Sequence, residues 1–424
     1  MNAPQYYQPF NYGPPPPPPK KKAGKIVAAL VAVVVLAAGI TAVIVLRSSD
    51  DPKATPTTTP VEDVRPPERN VLVQRIEEGP VTYGTTPAFD ACAVLPRAGL
   101  ADLGFPEDTT DYREAAYLPT SLTPDRATLS KVHDLDPLTD CGYWIRTGDR
   151  DDAYITLAIA QLPFNSMPSR RPGETPRSSG LDVVAEHEDD QFFAEIGNVD
   201  SRFAATLIMG RITGDVAGVP VATVFGKLTD LVAAALAKGP SSHSSYAFTG
   251  GYEALPFACD VLTAELFTEL TGKPDSGRVE VDDTSAHETA RDYHGIGRLP
   301  AIEQQCTRSS SDRFSTSRDA SRILTVTFET FRTDAQAKSA HSYQCDPDNP
   351  AGAILGEPVP VDQEIGDAKP CVRPIEYLNY TFLIGRTSVR LRPNESWAGT
   401  DPDDFGREFA PVAKKLAEEV RERF

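Results

Sequence analysis

Three kinds of side chain in this sequence have the chemistry to meet a ligand. Arg211 and Arg386 close two runs of one pattern, TLIMGR (206–211) and TFLIGR (381–386). A guanidinium at matched places holds an anion in a planar donor fork, and its competing role is an ion pair or a helix cap. Trp144, in CGYW beside Cys141, offers a flat face for ligand stacking or an apolar body that packs on a disulfide. HETARDYH (287–294) sets His287 and His294 seven apart with Glu288 and Asp292 between them. On a helix that spacing shares one face and suits a metal ion, but the cluster occurs once and reads as solvated surface. DPDNP (346–350) and DPDD (401–404) lack the glycine and glutamate of a calcium loop and read as turns. No nucleophile elbow, zinc-protease helix, phosphate loop or dinucleotide fingerprint occurs. The sequence therefore assigns no catalytic residue, no cofactor and no metal site, and it points away from an enzyme.

The elements that position these residues are written twice. DACAVLPRAGLADLGF (90–105) is answered by ACDVLTAELFTELTG (258–272). Cys92 precedes Cys141 by 49 residues, and Cys259 precedes Cys306 by 47. Leu95 and Leu103 match Leu262 and Leu270, and Leu100 matches Phe267. Alternating runs follow, YITLAIA (154–160) and ILTVTFETF (323–331), whose period of two predicts strands. EIGN (195–198) then parallels EIGD (364–367), the two Gly-Arg runs parallel each other, and FGKLTDLVAAALAKG (225–239) parallels the amphipathic 405–424. Six marks in one order predict two copies of one domain, residues 82–240 and 248–424. Strand runs with closing helices predict an α+β fold, a mainly antiparallel sheet packed by helices.

Six cysteines without close pairs predict disulfides rather than zinc or a redox motif. Because each copy must solve the same geometry alone, the pairing is Cys92–Cys141 and Cys259–Cys306, leaving Cys345 with Cys371. An oxidising compartment agrees with the N-terminus. Ile26–Leu46 is an unbroken apolar run of 21 residues, long enough for a hydrocarbon core of about 30 Å. Lys20, Lys21, Lys22 and Lys25 precede it, so the positive-inside rule puts residues 1–25 in the cytoplasm and the remainder outside. The run exceeds the usual apolar core of a signal peptide, which predicts an uncleaved single-pass anchor. Residues 1–25, with six consecutive prolines and Tyr6, Tyr7 and Tyr12, read as a disordered tail, and 47–81 as a Pro/Thr-rich stalk. The net charge is −18, or −22 beyond Leu46 once the four lysines are set aside. Such acidity repels phosphate backbones and excludes nucleic acid as a partner.

The pattern Ala-Cys-x-Val-Leu, then leucine and glycine, with a second cysteine farther on, resembles a secreted actinobacterial lipoprotein-like domain of unknown function. Two such domains in tandem would cover 82–240 and 248–424. The resemblance is more distant to the extracellular sensor domains of mycobacterial Ser/Thr kinases and to PsbP-like α/β layers. No cysteine precedes Cys92, so the membrane helix stands where that family uses a lipidated cysteine. The resemblance implies an envelope location and no catalytic residues. The sequence as a whole predicts a membrane-embedded extracytoplasmic binding or accessory protein, whose partner is an envelope ligand or a membrane-protein complex. The alternatives are a hydrolase whose site is assembled from residues distant in sequence, and a structural spacer.

Overall fold

The computed structural model describes residues 69–424 except 84–85, 106–109, 118–138, 148–149, 163–174, 177–179, 189, 198–201, 213, 284–286, 294–296, 311–321, 348–356, 376, 395–396, 398–400 and 424. The expected tail, the membrane segment Ile26–Leu46 and most of the stalk lie outside these residues. Among the described residues no helix is long and apolar enough to cross a membrane.

The chain opens with β1 (Arg69–Asn70), β2 (Leu72–Glu78), β3 (Val81–Tyr83) and β4 (Thr86–Ala88). Helices α1 (Ala91–Val94) and α2 (Arg97–Asp102) follow, then β5 (Thr110–Tyr117), β6 (Thr139–Thr147) and β7 (Arg150–Gln161). Next come β8 (Thr175–Pro176), β9 (Asp182–Glu188), β10 (Gln191–Gly197), β11 (Phe203–Gly210), β12 (Asp215–Val216), β13 (Val219–Pro220) and α3 (Val221–Leu236). β14 (Ser242–Phe248) leads to α4 (Ala258–Val261), α5 (Ala264–Thr271), β15 (Arg278–Asp283), β16 (His287–Tyr293), β17 (Gly297–Ser309) and β18 (Ile323–Phe331). The chain closes with α6 (Asp334–Cys345), β19 (Val359–Pro360), β20 (Cys371–Ile375), β21 (Tyr377–Ile384), β22 (Thr387–Pro393) and α7 (Pro402–Arg423). This is an α+β fold with mainly antiparallel sheet.

One sheet runs through both expected domain ranges, in the order β19-β20-β21-β22-β18-β17-β15-β5-β6-β7-β11-β10-β9-β8. Its middle is the antiparallel β5–β15 pair, where Glu114 lies opposite Val281. From Glu114 one cross-strand row passes through Cys141, Leu157, Leu207 and Ala194 to Ala185. From Val281 the same row passes through Cys306, Val326, Leu391 and Tyr380 to Val372. Both arms place their second cysteine one strand from the centre.

The alternating runs form the inner face because period-two side chains fall on one side of the pleat. Ile155, Leu157 and Ile159 on β7, and Leu324, Val326 and Phe328 on β18, are fully buried. On α3, Phe225, Leu228, Val232 and Leu236 recur at helical spacing and pack on the first arm. On α7, Phe405, Phe409, Leu416 and Val420 do so on the second. Each such side chain contributes about 1.5–3 kcal/mol on leaving water. Asp401 caps α7, its Oδ1 accepting from the Asp403 and Asp404 amides at 2.9 and 3.0 Å. Acidic residues in the first turn and arginines in the last suit the helix dipole.

Three disulfides join Cys92 to Cys141, Cys259 to Cys306 and Cys345 to Cys371. The first two tie α1 to β6 and α4 to β17. At corresponding places the backbone is satisfied by different side chains. The Leu95 carbonyl accepts from Tyr143 Oη at 2.6 Å, and the Leu262 carbonyl accepts from Arg308 Nε. The Ala91 amide donates to Thr139 Oγ1 at 3.3 Å, and the Ala258 amide to Gln304 Oε1 at 2.8 Å.

Several sequence marks sit elsewhere than expected. TLIMGR lies in β11, beside β7, whereas TFLIGR lies in β21 and runs into the β21–β22 turn. The strand that matches β11 in order is β22. Gly385 and Arg386 make a two-residue hairpin, with Gly385 at φ 52°, while Gly210 is the last residue of its strand. EIGN ends β10, but EIGD lies between β19 and β20, where a Cβ on Gly366 would stand 2.2 Å from the Leu383 carbonyl oxygen. Part of the expected stalk, Leu72–Glu78, is a strand paired with β14, most of which falls in the interval 241–247 between the two expected domain ranges.

Candidate functional site

The residues singled out by sequence do not converge. Trp144 alternates with Tyr143, which is fully buried on the inner face, so Trp144 points outward and does not pack on the disulfide. Its ring lies over Gly142, where a Cβ would be 3.2 Å from it. Across the same row Tyr154 lies against Gly210, and Gln191 donates to its hydroxyl. Arg211 follows Gly210 in the left-handed region at φ 60°, its amide donating to Asp190 at 3.0 Å. Arg386 belongs to the other arm, its guanidinium 5.4 Å from the centre of the Tyr252 ring.

HETARDY is strand β16, not helix, so the helical spacing that would pair His287 with His294 does not apply. Glu288 is buried and already engaged, accepting from Tyr252 Oη at 2.6 Å and from Arg332. Burial and that bond raise the Tyr252 hydroxyl well above the ordinary range, and the carboxylate raises Arg332. Among the described residues no group of His, Cys, Asp or Glu is arranged to hold a metal ion. An open depression of about 580 Å³ lies by α5, lined by Cys259, Thr263, Arg308 and Arg423. Its buried cation, Arg308, is spent on Asp275 at 2.8 Å and on the Leu262 carbonyl.

A polar cluster, part of it without hydrogen-bond partners, lies on the outer face of the second arm. There β17, β18, β22, β21 and β20 turn Glu303, Thr327, Glu329, Ser388, Arg390, Thr381 and Arg373 away from α7, because each alternates with an inner-face residue. Helix α6 packs on this face through Ala337 and Ala340 against Phe331 and Leu383, and Cys345–Cys371 ties its end to β20. Thr333 caps α6, Oγ1 accepting from the Gln336 amide at 3.2 Å. His341 on α6 is buried and bonds the Lys369 carbonyl at 2.9 Å. Because that carbonyl only accepts, Nε2 carries the proton, and burial holds the imidazole below its ordinary pKa.

Within this layer Tyr293 Oη donates to Glu329 Oε1 at 2.7 Å, and Gln344 Nε2 to Oε2 at 3.1 Å. Arg390 pairs with Glu303. Among the described residues, the buried polar atoms of this layer without a hydrogen-bond partner include Arg373 Nε, Arg390 Nε, Thr381 Oγ1 and Ser388 Oγ on the sheet, and Gln336 Oε1, His341 Nδ1 and Gln344 Oε1 on α6. Burial first, then the like charge of Arg390, depresses Arg373. The first arm carries different residues at the same register positions: Ala158 for Thr327, Ala160 for Glu329, Ala204 for Ser388, Thr206 for Arg390, Glu195 for Thr381 and Glu186 for Arg373.

Sequence reasoning missed these residues. Their signal was present in TVTFETF and TSVRLRP, where polar and charged residues alternate with apolar ones. It becomes informative only beside the alanines of the first arm, and matching TLIMGR with TFLIGR hid that comparison. Comparison with protein-family models, curated protein sequences and solved structures gives no match for this chain.

Proposed function

We propose that this chain is a single-pass, membrane-tethered extracytoplasmic binding protein of a cell envelope, non-enzymatic, built from two copies of one disulfide-closed domain. Ile26–Leu46 is the span, residues 1–25 the cytoplasmic tail, and the sheet-forming body stands outside. The resemblance of the Ala-Cys-x-Val-Leu segments points to an actinobacterial envelope. The observation that carries the reading is the cross-strand row through Glu114 and Val281, whose arms match strand for strand while, among the described residues, the unpartnered buried polar side chains lie on the second. A duplication followed by loss or gain of ligand chemistry in one copy produces that asymmetry.

The geometry favours binding over hydrolysis at a place where serine, histidine and carboxylate meet. Ser245 Oγ donates to Glu77 Oε1 at 2.6 Å, while His243 lies 3.5 Å from Glu77 Oε2 and bonds the Gly79 carbonyl at 2.8 Å. The hydroxyl thus faces the carboxylate, with no imidazole placed to take its proton.

The test is protease shaving of intact cells with a thiol probe. An impermeant protease should degrade residues 82–424 and leave the tail protected. All six cysteines should resist alkylation until reduced. A chain recovered in the cytosol with free thiols refutes the reading.

A further inference from the structure

We infer that the outer face of the second arm, beneath the end of α6, is a site for the carboxylate group of a small ligand, held by Arg373 and Arg390. This rests on the binding reading above and names its chemistry. Four observations lead there. First, the Nε of Arg373 is buried with its donor unmet, and Glu329 acts on the guanidinium only through space. A buried polar group without a partner costs free energy, so such a group in a folded chain calls for a ligand that completes it. Second, Arg390 turns Nη2 to Glu303 and keeps a buried Nε unmet. Third, Thr381 lies opposite Arg390 on the neighbouring strand, and Ser388 precedes Arg390 by two, on the same face of β22. Both side chains are fully buried with unpartnered hydroxyls. Fourth, the register-matched residues of the first arm are Glu186, Thr206, Glu195 and Ala204, which reverse or remove this character.

The charges select the class of anion. Glu303 neutralises Arg390, and Glu329 stands on the same face with Tyr293 and Gln344 on its oxygens. Glu329 attracts Arg373 only through space, so the Arg373 guanidinium keeps its Nε donor for a ligand. A singly charged, planar acceptor fits it: a carboxylate takes two parallel N–H bonds from a guanidinium edge. A phosphate dianion would bring surplus charge toward Glu303 and Glu329. The hydroxyls of Thr381 and Ser388 supply further donors to its oxygens. Cys345–Cys371 holds α6 against the same face, so the site is closed on one side by a covalently fixed helix.

The test uses the full chain in detergent micelles with ¹⁵N-labelled arginine, titrated with acetate, propionate and inorganic phosphate at constant ionic strength. The Nε–H resonances of Arg373 and Arg390 are assigned from Arg373→Gln and Arg390→Lys. Acetate and propionate should shift both resonances with one midpoint, and phosphate should require at least tenfold more. Arg373→Gln should weaken carboxylate binding at least tenfold and raise the melting temperature of the unliganded chain, because it removes a half-buried charge with an unmet donor. Thr381→Val should weaken binding severalfold and leave the fold intact. The proposal is overturned if carboxylates leave both resonances unmoved, if phosphate binds as well as acetate, or if Arg373→Gln lowers stability without changing affinity. Those outcomes leave the tethered-protein reading standing, since protease shaving tests it without a ligand.

Discussion

Arg308 and Asp275 form an ion pair at 2.8 Å with side chains only 4% and 5% exposed, and its removal has a calculable consequence. Arg308 also donates to the Leu262 carbonyl, and Asp275 Oδ1 accepts from the Gly277 amide. Substituting Arg308→Met leaves a buried carboxylate uncompensated and a carbonyl unmet, which costs about 3–5 kcal/mol. For a unit of this size that lowers the melting temperature by about 10 °C. Asp275→Asn in the same chain relieves the stranded charge, so the double variant should be more stable than the sum of the single losses by about 1–3 kcal/mol. The assay is urea unfolding followed by tryptophan fluorescence in a Trp144→Phe background. The remaining Trp397 packs 4.7 Å from Phe409 and reports the second arm. The first arm bonds the matching Leu95 carbonyl with neutral Tyr143, so this ion pair is a local solution and not a requirement of the fold. A loss below about 1 kcal/mol for Arg308→Met, or strict additivity in the double variant, would refute the reasoning.

Replacing Cys345 and Cys371 by alanine opens a loop of 26 residues and should cost about 3.5 kcal/mol in the chain-entropy picture, read by Trp397 fluorescence while the Trp144 transition stays in place. Leu416→Ala on the inner face of α7 should lose about 2–5 kcal/mol in urea unfolding, whereas exposed Glu418→Ala should stay within about 0.5 kcal/mol. His341 is held below its ordinary pKa of 6.5 by burial, so the unfolded chain takes up that proton first. Its contribution is complete above pH 6.5 and is lost as pH falls below that value; the difference in melting temperature between the parent and His341→Phe should change across this window and not above it.

What the sequence determined was local or carried by repetition. YITLAIA and ILTVTFETF had to be strands, because period-two apolar residues bury one face of a pleat. The closing helices were legible from their apolar stripes, and the cysteine pairing from the near-equal spacing of 49 and 47 residues. Short identical words misled. The spacing between register-matched positions grows from 167 at Glu114 and Val281 to 184 at Leu207 and Leu391, because the second arm carries α6 between β18 and β20. A four-residue match cannot detect that drift, so EIGN and the Gly-Arg runs were aligned to strands that lie elsewhere.

Only the tertiary structure decided that the two ranges share one sheet, since nothing in β5 or β15 names its partner strand. Only it decided where the chemistry gathers. Arg373, Thr381, Ser388 and Arg390 lie on three strands and become neighbours through antiparallel pairing. A strand's own alternation says which residues share a face, but hydrogen-bond register between strands sets which side chains meet across it. That register is a property of the folded sheet, and it separates the polar outer face from the alanines of the first arm.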